Sequence, residues 1–138
     1  EAAGLNSGLM MPQYTAASLV LENQTLAHPD SVFSIPTSAE QEDHNANAMN
    51  ACRHTLQILK NVQHVLSIEL YTASRAIDLR LRKYPTGKLG DGTSMIYQMI
   101  RDVVPYQAGD ALWWPEIEKV KQLVISGRIS KALDFIKS

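Results

Sequence analysis

The chain has 138 residues, and its 13 basic and 14 acidic side chains give a formal net charge of −1. Without an excess of positive charge, the composition predicts no nucleic-acid partner and no attraction to an anionic membrane surface. A single cysteine excludes a disulfide framework and a cysteine-rich zinc module, and every apolar run is far shorter than the roughly 20 residues that span a membrane.

The start of the sequence, Glu1-Ala2-Ala3-Gly4, has neither an initiator methionine nor a signal sequence. This is typical of an internal start, so we expect a fragment of a longer cytoplasmic protein.

Apolar side chains recur every three or four residues while strand-like alternation is scarce, which predicts an all-α fold. The first predicted helix runs from Ser7 to Ala27, with Asn6 or Ser7 as its N-cap, and ends at His28-Pro29. An ordered, non-helical loop over Pro29–Glu40 follows.

The next pattern predicts one long central helix over Asp43–Arg82, a range without Pro or Gly. At 1.5 Å per residue such a helix is about 55–60 Å long, whereas a compact chain of this size is about 37 Å across. The first of its two apolar stripes contains Met49, Cys52, Leu56, Leu59, Leu66, Leu70, Ala73 and Ile77. The second contains Ile58, Val62, Val65 and Ile68.

The length of this helix indicates that other chains cover its apolar stripes. The alternative is a helix bent or broken near Ser67 or Ser74 that folds back on itself.

The long-helix core comprises residues 1–83 and a C-terminal helical cap comprises residues 93–138. A loop over Tyr84–Gly92 separates the two parts. The first predicted helix of the cap runs from Thr93 or Ser94 to Val104, and the second runs from Trp113-Trp114-Pro115-Glu116 to Ser126-Gly127. A short turn or helix over Ser130–Ile136 follows.

The richest cluster of polar groups is Ser38-Ala39-Glu40-Gln41-Glu42-Asp43-His44, at the predicted junction between loop and long helix. In a structural interpretation Ser38 caps the helix and Gln41 completes a capping box. In a functional interpretation the junction holds Gln41 and Glu42 at a pocket, where a carboxylate binds a basic substrate group or moves a proton. Metal binding is disfavoured, because consecutive residues cannot all face one ion on a regular helix.

The remaining candidate groups favour structural roles. His44, His54 and His64 are ten residues apart, a spacing that gives no pair of metal ligands on one helix face. Cys52 falls on the apolar stripe, which predicts a buried, inert thiol. We therefore predict no metal site.

Several separate motifs, in one order and spacing, resemble the C-terminal half of the aromatic amino-acid ammonia-lyases, and most closely the members that act on histidine. They are Asn6-Ser7-Gly8-Leu9-Met10, Gln13 with Thr15-Ala16-Ala17, Glu22-Asn23, Leu26-Ala27-His28-Pro29, Ile35-Pro36-Thr37-Ser38-Ala39, Gln41-Glu42-Asp43-His44, Ala76-Ile77-Asp78-Leu79-Arg80 and Pro115-Glu116-Ile117-Glu118-Lys119. The resemblance implies an all-helical homotetramer whose long helices bundle together. The partners implied are the remainder of the lyase chain, the neighbouring subunits and a small amino-acid substrate.

This family eliminates ammonia by means of an electrophilic methylideneimidazolone (MIO) formed from an Ala-Ser-Gly tripeptide, and that tripeptide does not occur in this sequence. The chain is therefore expected to be inactive alone. The resemblance makes Met10, Gln41 and Glu42 substrate-binding residues, with Glu42 also catalytic. Phenylalanine-specific members typically carry Lys at the position of Met10 and Asn-Gln at Gln41-Glu42.

A carboxylate at Glu42 can pair with an imidazole, whereas beside a phenyl ring it would lose water without gaining a partner. The resemblance thus implies conversion of L-histidine to urocanate and ammonia. The sequence departs from the family pattern at Phe33, Glu40 and residues 45–47. Two alternatives stay open: a family member that acts on tyrosine or phenylalanine, as a lyase or an aminomutase, and a non-catalytic helical oligomerisation module.

Overall fold

A computed structural model describes residues 5–44 and 47–137 of the chain. In chain order the elements are α1 (Met10–Leu26), a 3-10 turn (Asp30–Val32), β1 (Pro36–Thr37), β2 (Glu42–Asp43), α2 (Ala48–Lys83), α3 (Asp91–Val103), α4 (Trp114–Ile125) and α5 (Arg128–Lys137). The prediction of an all-α fold is confirmed, since the two strands form only a short antiparallel hairpin. Residues 1–4 of the predicted core, residues 45–46 of the predicted long helix and residue 138 of the predicted cap lie outside the described residues.

Helix α1 begins at Met10, three residues later than predicted. Gly8 has a φ of +59°, a left-handed conformation that glycine adopts without steric cost and that a right-handed helix cannot contain. The prediction of Asn6 or Ser7 as N-cap is therefore wrong: Leu9 is the N-cap, and no side chain caps this end. Pro12 is buried in the first turn, where a proline is tolerated.

Helix α2 is one unbroken helix of 36 residues, about 54 Å long at 1.5 Å per residue. The alternative of a helix broken near Ser67 or Ser74 is thus wrong. The helix begins at Ala48 rather than at Asp43, because the backbone of Glu42–Asp43 pairs with strand β1 instead. It ends with basic residues in its last turn, which interact favourably with the negative end of the helix dipole.

Helix α2 buries a largely polar face within the chain. Its buried residues are Asn61, Ser67, Ile68, Tyr71, Ser74, Arg75 and Asp78. Most of the first apolar stripe stays exposed, including Met49, Cys52, Leu56, Leu59 and Leu66, together with Val62 of the second stripe. The prediction of a buried Cys52 is therefore wrong for this chain, and the described residues leave the stripe uncovered.

Helix α1 packs antiparallel to α2. Near the C-terminal end of α1, Glu22 and Asn23 both accept hydrogen bonds from the Asn61 side chain, at 2.9 Å each. Near its N-terminal end, Pro12 lines a cavity with Ile68. Farther along, Asp30 in the 3-10 turn lies 3.2 Å from His54 on α2. The two helices therefore run in opposite directions, with the hairpin beyond the C-terminal end of α1.

The apolar core lies between the second half of α2 and the C-terminal cap. Its buried members are Ile68, Tyr71, Ile100, Val104, Trp113, Ile117, Val120 and Leu123. Trp113 is buried in this core, whereas its neighbour Trp114 is exposed. Helix α3 starts at Asp91, earlier than Thr93 or Ser94, so neither of those residues is its cap. The cap nonetheless forms three helices in the predicted order.

A buried ion pair joins α2 to α3. Asp78 and Arg101 are 8% and 10% exposed, and Arg101 Nη2 donates to Asp78 Oδ2 at 2.5 Å and to Ser74 Oγ at 2.8 Å. The Tyr97 hydroxyl donates to the other Asp78 oxygen at 2.6 Å. Burial, followed by this hydrogen bond to Asp78, raises the pKa of Tyr97. Removal of Asp78 would leave the Arg101 charge buried without its counterion.

The Asp78→Ala variant is expected to lower the free energy of unfolding by about 3–5 kcal/mol, because a buried charge loses its partner. Urea unfolding followed by circular dichroism measures this loss. The matched control is Asp102→Ala on the same helix pair, an exposed carboxylate that accepts one hydrogen bond from Gln98, with an expected change within about 0.5 kcal/mol. Equal losses in the two variants would contradict a special role for the buried pair.

Candidate functional site

The hairpin that carries Gln41 and Glu42 is a strained turn between paired strands. Pro36 pairs with Asp43, and Thr37 pairs with Glu42. Between the strands, Ser38, Ala39 and Glu40 have φ angles of 51°, 54° and 68°. A left-handed backbone costs a non-glycine residue roughly 1–2 kcal/mol. The strain is thus concentrated directly before the two residues that the sequence analysis assigns to substrate binding.

The hairpin corrects the capping-box interpretation of the same residues. Ser38 does not cap a helix: its hydroxyl donates to Glu42 Oε2 at 3.1 Å, within the hairpin. The Thr37 hydroxyl donates to the backbone oxygen of Glu42 at 3.3 Å. The polar spacing that resembles a helix start therefore closes a tight turn, and Glu42 lies in strand β2 rather than at the start of α2.

Gln41 and Glu42 are both exposed on the hairpin. Neither residue lines a described cavity, and the hairpin packs against none of the described helices. The Ser38 hydroxyl leaves the other Glu42 carboxylate oxygen available to a ligand. Within the described part of the chain, then, the carboxylate is presented on a projection and is not enclosed.

Asn47 ties the base of the hairpin to the loop after α1. Its Nδ2 donates to the backbone oxygens of Asp30 at 3.0 Å and Phe33 at 2.5 Å. Its Oδ1 lies 2.9 Å from His44 Nδ1, so the His44 ring is the donor in this contact. Asn47 is at the N-cap of α2 but caps no backbone N–H there, because its side chain is used to hold the hairpin.

Met10 lies at the other end of the α1–α2 pair. It is the first residue of α1 and is 50% exposed. The two residues at the turn before it are bound by the cap: Asp110 accepts from the backbone N–H groups of Ser7 and Gly8, at 2.7 Å each. The indole N–H of Trp113 donates to the Gly8 oxygen at 2.8 Å.

A cavity of about 370 Å³ opens beside this end of α1. Its walls are mainly apolar, and they include Met11, Pro12, Ile68, Trp113 and Trp114, with Asp110 and His64 as its charged or titratable groups. Burial, and then the positive charge of Lys121, lower the pKa of His64, while Glu118 opposes the shift. The cavity therefore favours a neutral imidazole.

The three predicted site residues do not come together in one chain. Met10 begins α1, and its neighbour Leu9 lines a second cavity with residues 65–76 of α2. Gln41 and Glu42 lie on the hairpin that leads into α2 at Ala48. Ala48 and Ile68 are about 30 Å apart along the helix axis, at 1.5 Å per residue. The chain therefore separates Met10 from Gln41 and Glu42 along this helix.

The described residues contain no group of three His, Cys, Asp or Glu side chains placed to hold a metal ion. Along the same residues, no helix is both long and apolar enough to cross a membrane.

Residues 1–102 match the family model for aromatic amino acid lyases. The chain belongs to this family. It is similar to the histidine ammonia-lyase of Natranaerobius thermophilus, with 47% identity over 131 residues, or 95% of this chain. It spans 25% of the length of that relative. The resemblance drawn from the short motifs is thereby confirmed, and the chain is a segment by comparison with its relatives.

Solved structures agree with the family assignment. The crystal structure of histidine ammonia-lyase from Trypanosoma cruzi matches 97% of this chain with a TM-score of 0.87 and 34% identity, and the match covers 26% of that protein. Tyrosine aminomutase from Streptomyces globisporus matches 97% of the chain with a TM-score of 0.86 and 27% identity, over 25% of its length. The helical fold is thus shared by a histidine ammonia-lyase and a tyrosine aminomutase.

Sequence reasoning missed Asp110, Trp113 and Asn47 as residues that hold the elements carrying Met10, Gln41 and Glu42. Sequence signals for a helix cap lie within a few residues of the helix start, but Asp110 is 102 positions from Gly8. No periodicity could connect them. An asparagine directly before a helix favours an N-cap, but the Asn47 side chain caps no backbone N–H and binds Asp30 and Phe33 instead, so this signal does not predict its role.

The lowered pKa of His64 predicts a specific pH dependence of the free energy of unfolding. Its folded pKa lies below the ordinary value of 6.5 for histidine, so the unfolded chain binds more protons between these two values and stability falls as the pH falls through 6.5. His64→Gln has no titrating ring and is expected to flatten the dependence. Urea unfolding of both proteins between about pH 5 and pH 8 measures it. If the difference in unfolding free energy between the wild type and His64→Gln is constant over this pH range, the lowered pKa of His64 is contradicted.

Proposed function

We propose that the chain is part of a cytoplasmic histidine ammonia-lyase, which eliminates ammonia from L-histidine to give urocanate in histidine catabolism. The observation that carries this proposal is the carboxylate of Glu42, presented on a strained hairpin. An imidazole of the substrate offers an N–H donor, and a cationic imidazole also offers a charge, so it satisfies a carboxylate as a phenyl or phenol ring does not. The histidine ammonia-lyases similar to this chain support the same substrate.

The chain supplies binding groups rather than the electrophile. When present, the MIO group of the parent enzyme supplies an electrophilic carbon for the substrate, and its Ala-Ser-Gly precursor is absent from this sequence. Glu42 would accept a hydrogen bond from the imidazole and orient the ring, with Gln41 beside it as a further polar contact. Met10 would supply an adaptable apolar surface for the substrate side chain.

The separation of Met10 from the hairpin supports a site shared between subunits. A single histidine is too small to reach both ends of a segment about 30 Å long, so Met10 and Glu42 would serve one site only when different copies contribute them. The exposed apolar stripe of α2 offers the surface for such assembly. We therefore propose a homotetramer in which the long helices bury each other.

Two alternatives have support of their own. The TM-score of 0.86 to a tyrosine aminomutase shows that the same fold is compatible with a family member that acts on tyrosine or phenylalanine. The exposed Leu56, Leu59 and Leu66 favour a segment whose role is oligomerisation alone. Turnover of each amino acid separates the first alternative from histidine elimination, and the variants below separate the second.

Glu42→Gln in the full-length lyase keeps the side-chain volume but removes the charge. We expect kcat/KM for histidine to fall at least about 100-fold, because a charge-assisted contact to the imidazole and a proton-moving group are both lost. The absorbance of urocanate follows the reaction.

Glu40→Gln on the same turn is the matched control and should retain activity, while the 138-residue chain alone should give no urocanate. Normal turnover in Glu42→Gln, with both variants still assembled, would contradict a role for Glu42 in the reaction and favour the oligomerisation alternative.

Leu59→Lys tests the proposed assembly through the exposed stripe. A lysine buried between helices would lose its hydration without a counterion, so the full-length protein is expected to shift from tetramers to smaller species. Size-exclusion chromatography with light scattering measures the change.

Lys60→Glu is the control, since it makes a larger charge change at an exposed neighbour about 100° around the helix. A tetramer that persists in Leu59→Lys would contradict burial of the stripe between subunits.

A further inference from the structure

The first turn of α1 has no side-chain cap. An α-helix begins with backbone N–H groups that have no acceptor inside the helix. The N-cap residue Leu9 offers no side-chain acceptor, and the first turn of α1 contains no acidic residue. The Met10 N–H donates instead to the backbone oxygen of Ser7 at 3.3 Å. The start of this helix, which presents Met10, therefore depends on the conformation of the Ser7–Gly8 turn before it.

Asp110, in the loop between α3 and α4, binds the backbone of this turn. Its Oδ2 accepts from the Ser7 N–H and its Oδ1 from the Gly8 N–H, both at 2.7 Å. A carboxylate that accepts two backbone N–H groups fixes both position and direction, because each oxygen takes one donor. The negative charge also lies beside the positive end of the α1 dipole.

Trp113 holds the other side of the same glycine. Its indole N–H donates to the Gly8 oxygen at 2.8 Å, so both backbone polar groups of Gly8 are bound by one loop. The indole is itself fixed, because it is only 9% exposed and the Arg75 guanidinium lies over its ring at 4.6 Å. Arg75 in turn donates to the backbone oxygen of Gln107 at 2.8 Å.

Gly8 is the point where the chain direction is set before Met10. Its φ of +59° turns the backbone into α1, and the Cβ position of Gly8 has open space around it. Neighbouring atoms therefore do not force this conformation, and the hydrogen bonds from Asp110 and Trp113 hold it. A rotation at Gly8 would move Met10, which lies two residues farther on.

We propose that Asp110, assisted by Trp113, is a positioning residue that fixes Met10 for substrate binding. The proposal rests on the proposed lyase function, in which Met10 contacts the substrate. Asp110 lies beyond residue 102, where the match to the family model ends. It acts through the backbone of Ser7 and Gly8 and does not itself touch the substrate. Met10 is thereby held by a contact between the two ends of this segment.

A double-mutant cycle in the full-length lyase tests the proposal with Asp110→Asn, Met10→Ala and the double variant. An amide offers one acceptor oxygen where the carboxylate offers two, so one of the two contacts is lost. We expect KM for histidine to rise about fivefold in Asp110→Asn, with kcat changed less than about twofold, as for loss of substrate binding alone. In the Met10→Ala background the same substitution should change KM less than about twofold.

Asp102→Asn is the matched control, an exposed carboxylate that accepts a hydrogen bond from Gln98 at 2.8 Å, and it should leave both constants unchanged. Trp113→Phe removes only the contact to the Gly8 oxygen and repeats the cycle if Asp110→Asn does not assemble. The same rise in KM in both backgrounds, or no rise in either, would overturn the proposal. If the wild type is active and Met10→Ala raises KM, the proposed lyase function stands although the role of Asp110 is overturned. If the wild type forms no urocanate, the proposed lyase function and the role of Asp110 are both overturned.

Discussion

The packing of α2 is the constraint on which the rest of this segment depends. The helix turns polar groups toward its own chain, and these groups are individually satisfied. Ser67 and Ser74 donate to backbone oxygens one turn earlier, and Asp78 pairs with Arg101. The exposed leucines lie on a neighbouring face. The polar face of α2 packs within the chain and its apolar face is exposed. In the proposed assembly the helix would therefore gain much of its stability from other chains, since apolar burial is the dominant favourable contribution to folding.

The direction of α2 links this packing to the site. The hairpin with Glu42 precedes its first residue, whereas the start of α1 lies beside its second half. If two copies pair their apolar stripes about a two-fold axis with the helices antiparallel, the first half of one α2 meets the second half of the other. Such pairing brings the hairpin of one copy toward the Met10 end of its partner. The surface that stabilises the proposed assembly would thus also complete the proposed site.

The long-range periodicity of α2 was predictable because it is a local property repeated over many turns. The exposure of its apolar stripe was also predictable, because a helix of that length is longer than a compact chain of this size. The hairpin was not, because Ser38 and Gln41 have the spacing of a capping box, and only the left-handed turn at Ser38, Ala39 and Glu40 distinguishes the two. The resemblance to the lyase family, and not the residue pattern, predicted Met10, Gln41 and Glu42 as substrate-binding residues. In the structure Met10 lies far from the other two, and Gln41 and Glu42 line no described cavity.

Contacts over long sequence distances account for what the sequence could not supply. Asn47 holds the hairpin through the backbone oxygens of Asp30 and Phe33, and Asp110 holds the turn before Met10 through the backbone of Ser7 and Gly8. In both cases a side chain binds backbone oxygens or N–H groups, which every residue type offers, so the sequence pattern does not reveal which residues are held. A strained turn persists only where surrounding contacts determine its conformation. Asn47 and Asp110 therefore have the same physical role: each keeps an exposed end of the segment in the fixed geometry that the proposed partner subunit would cover.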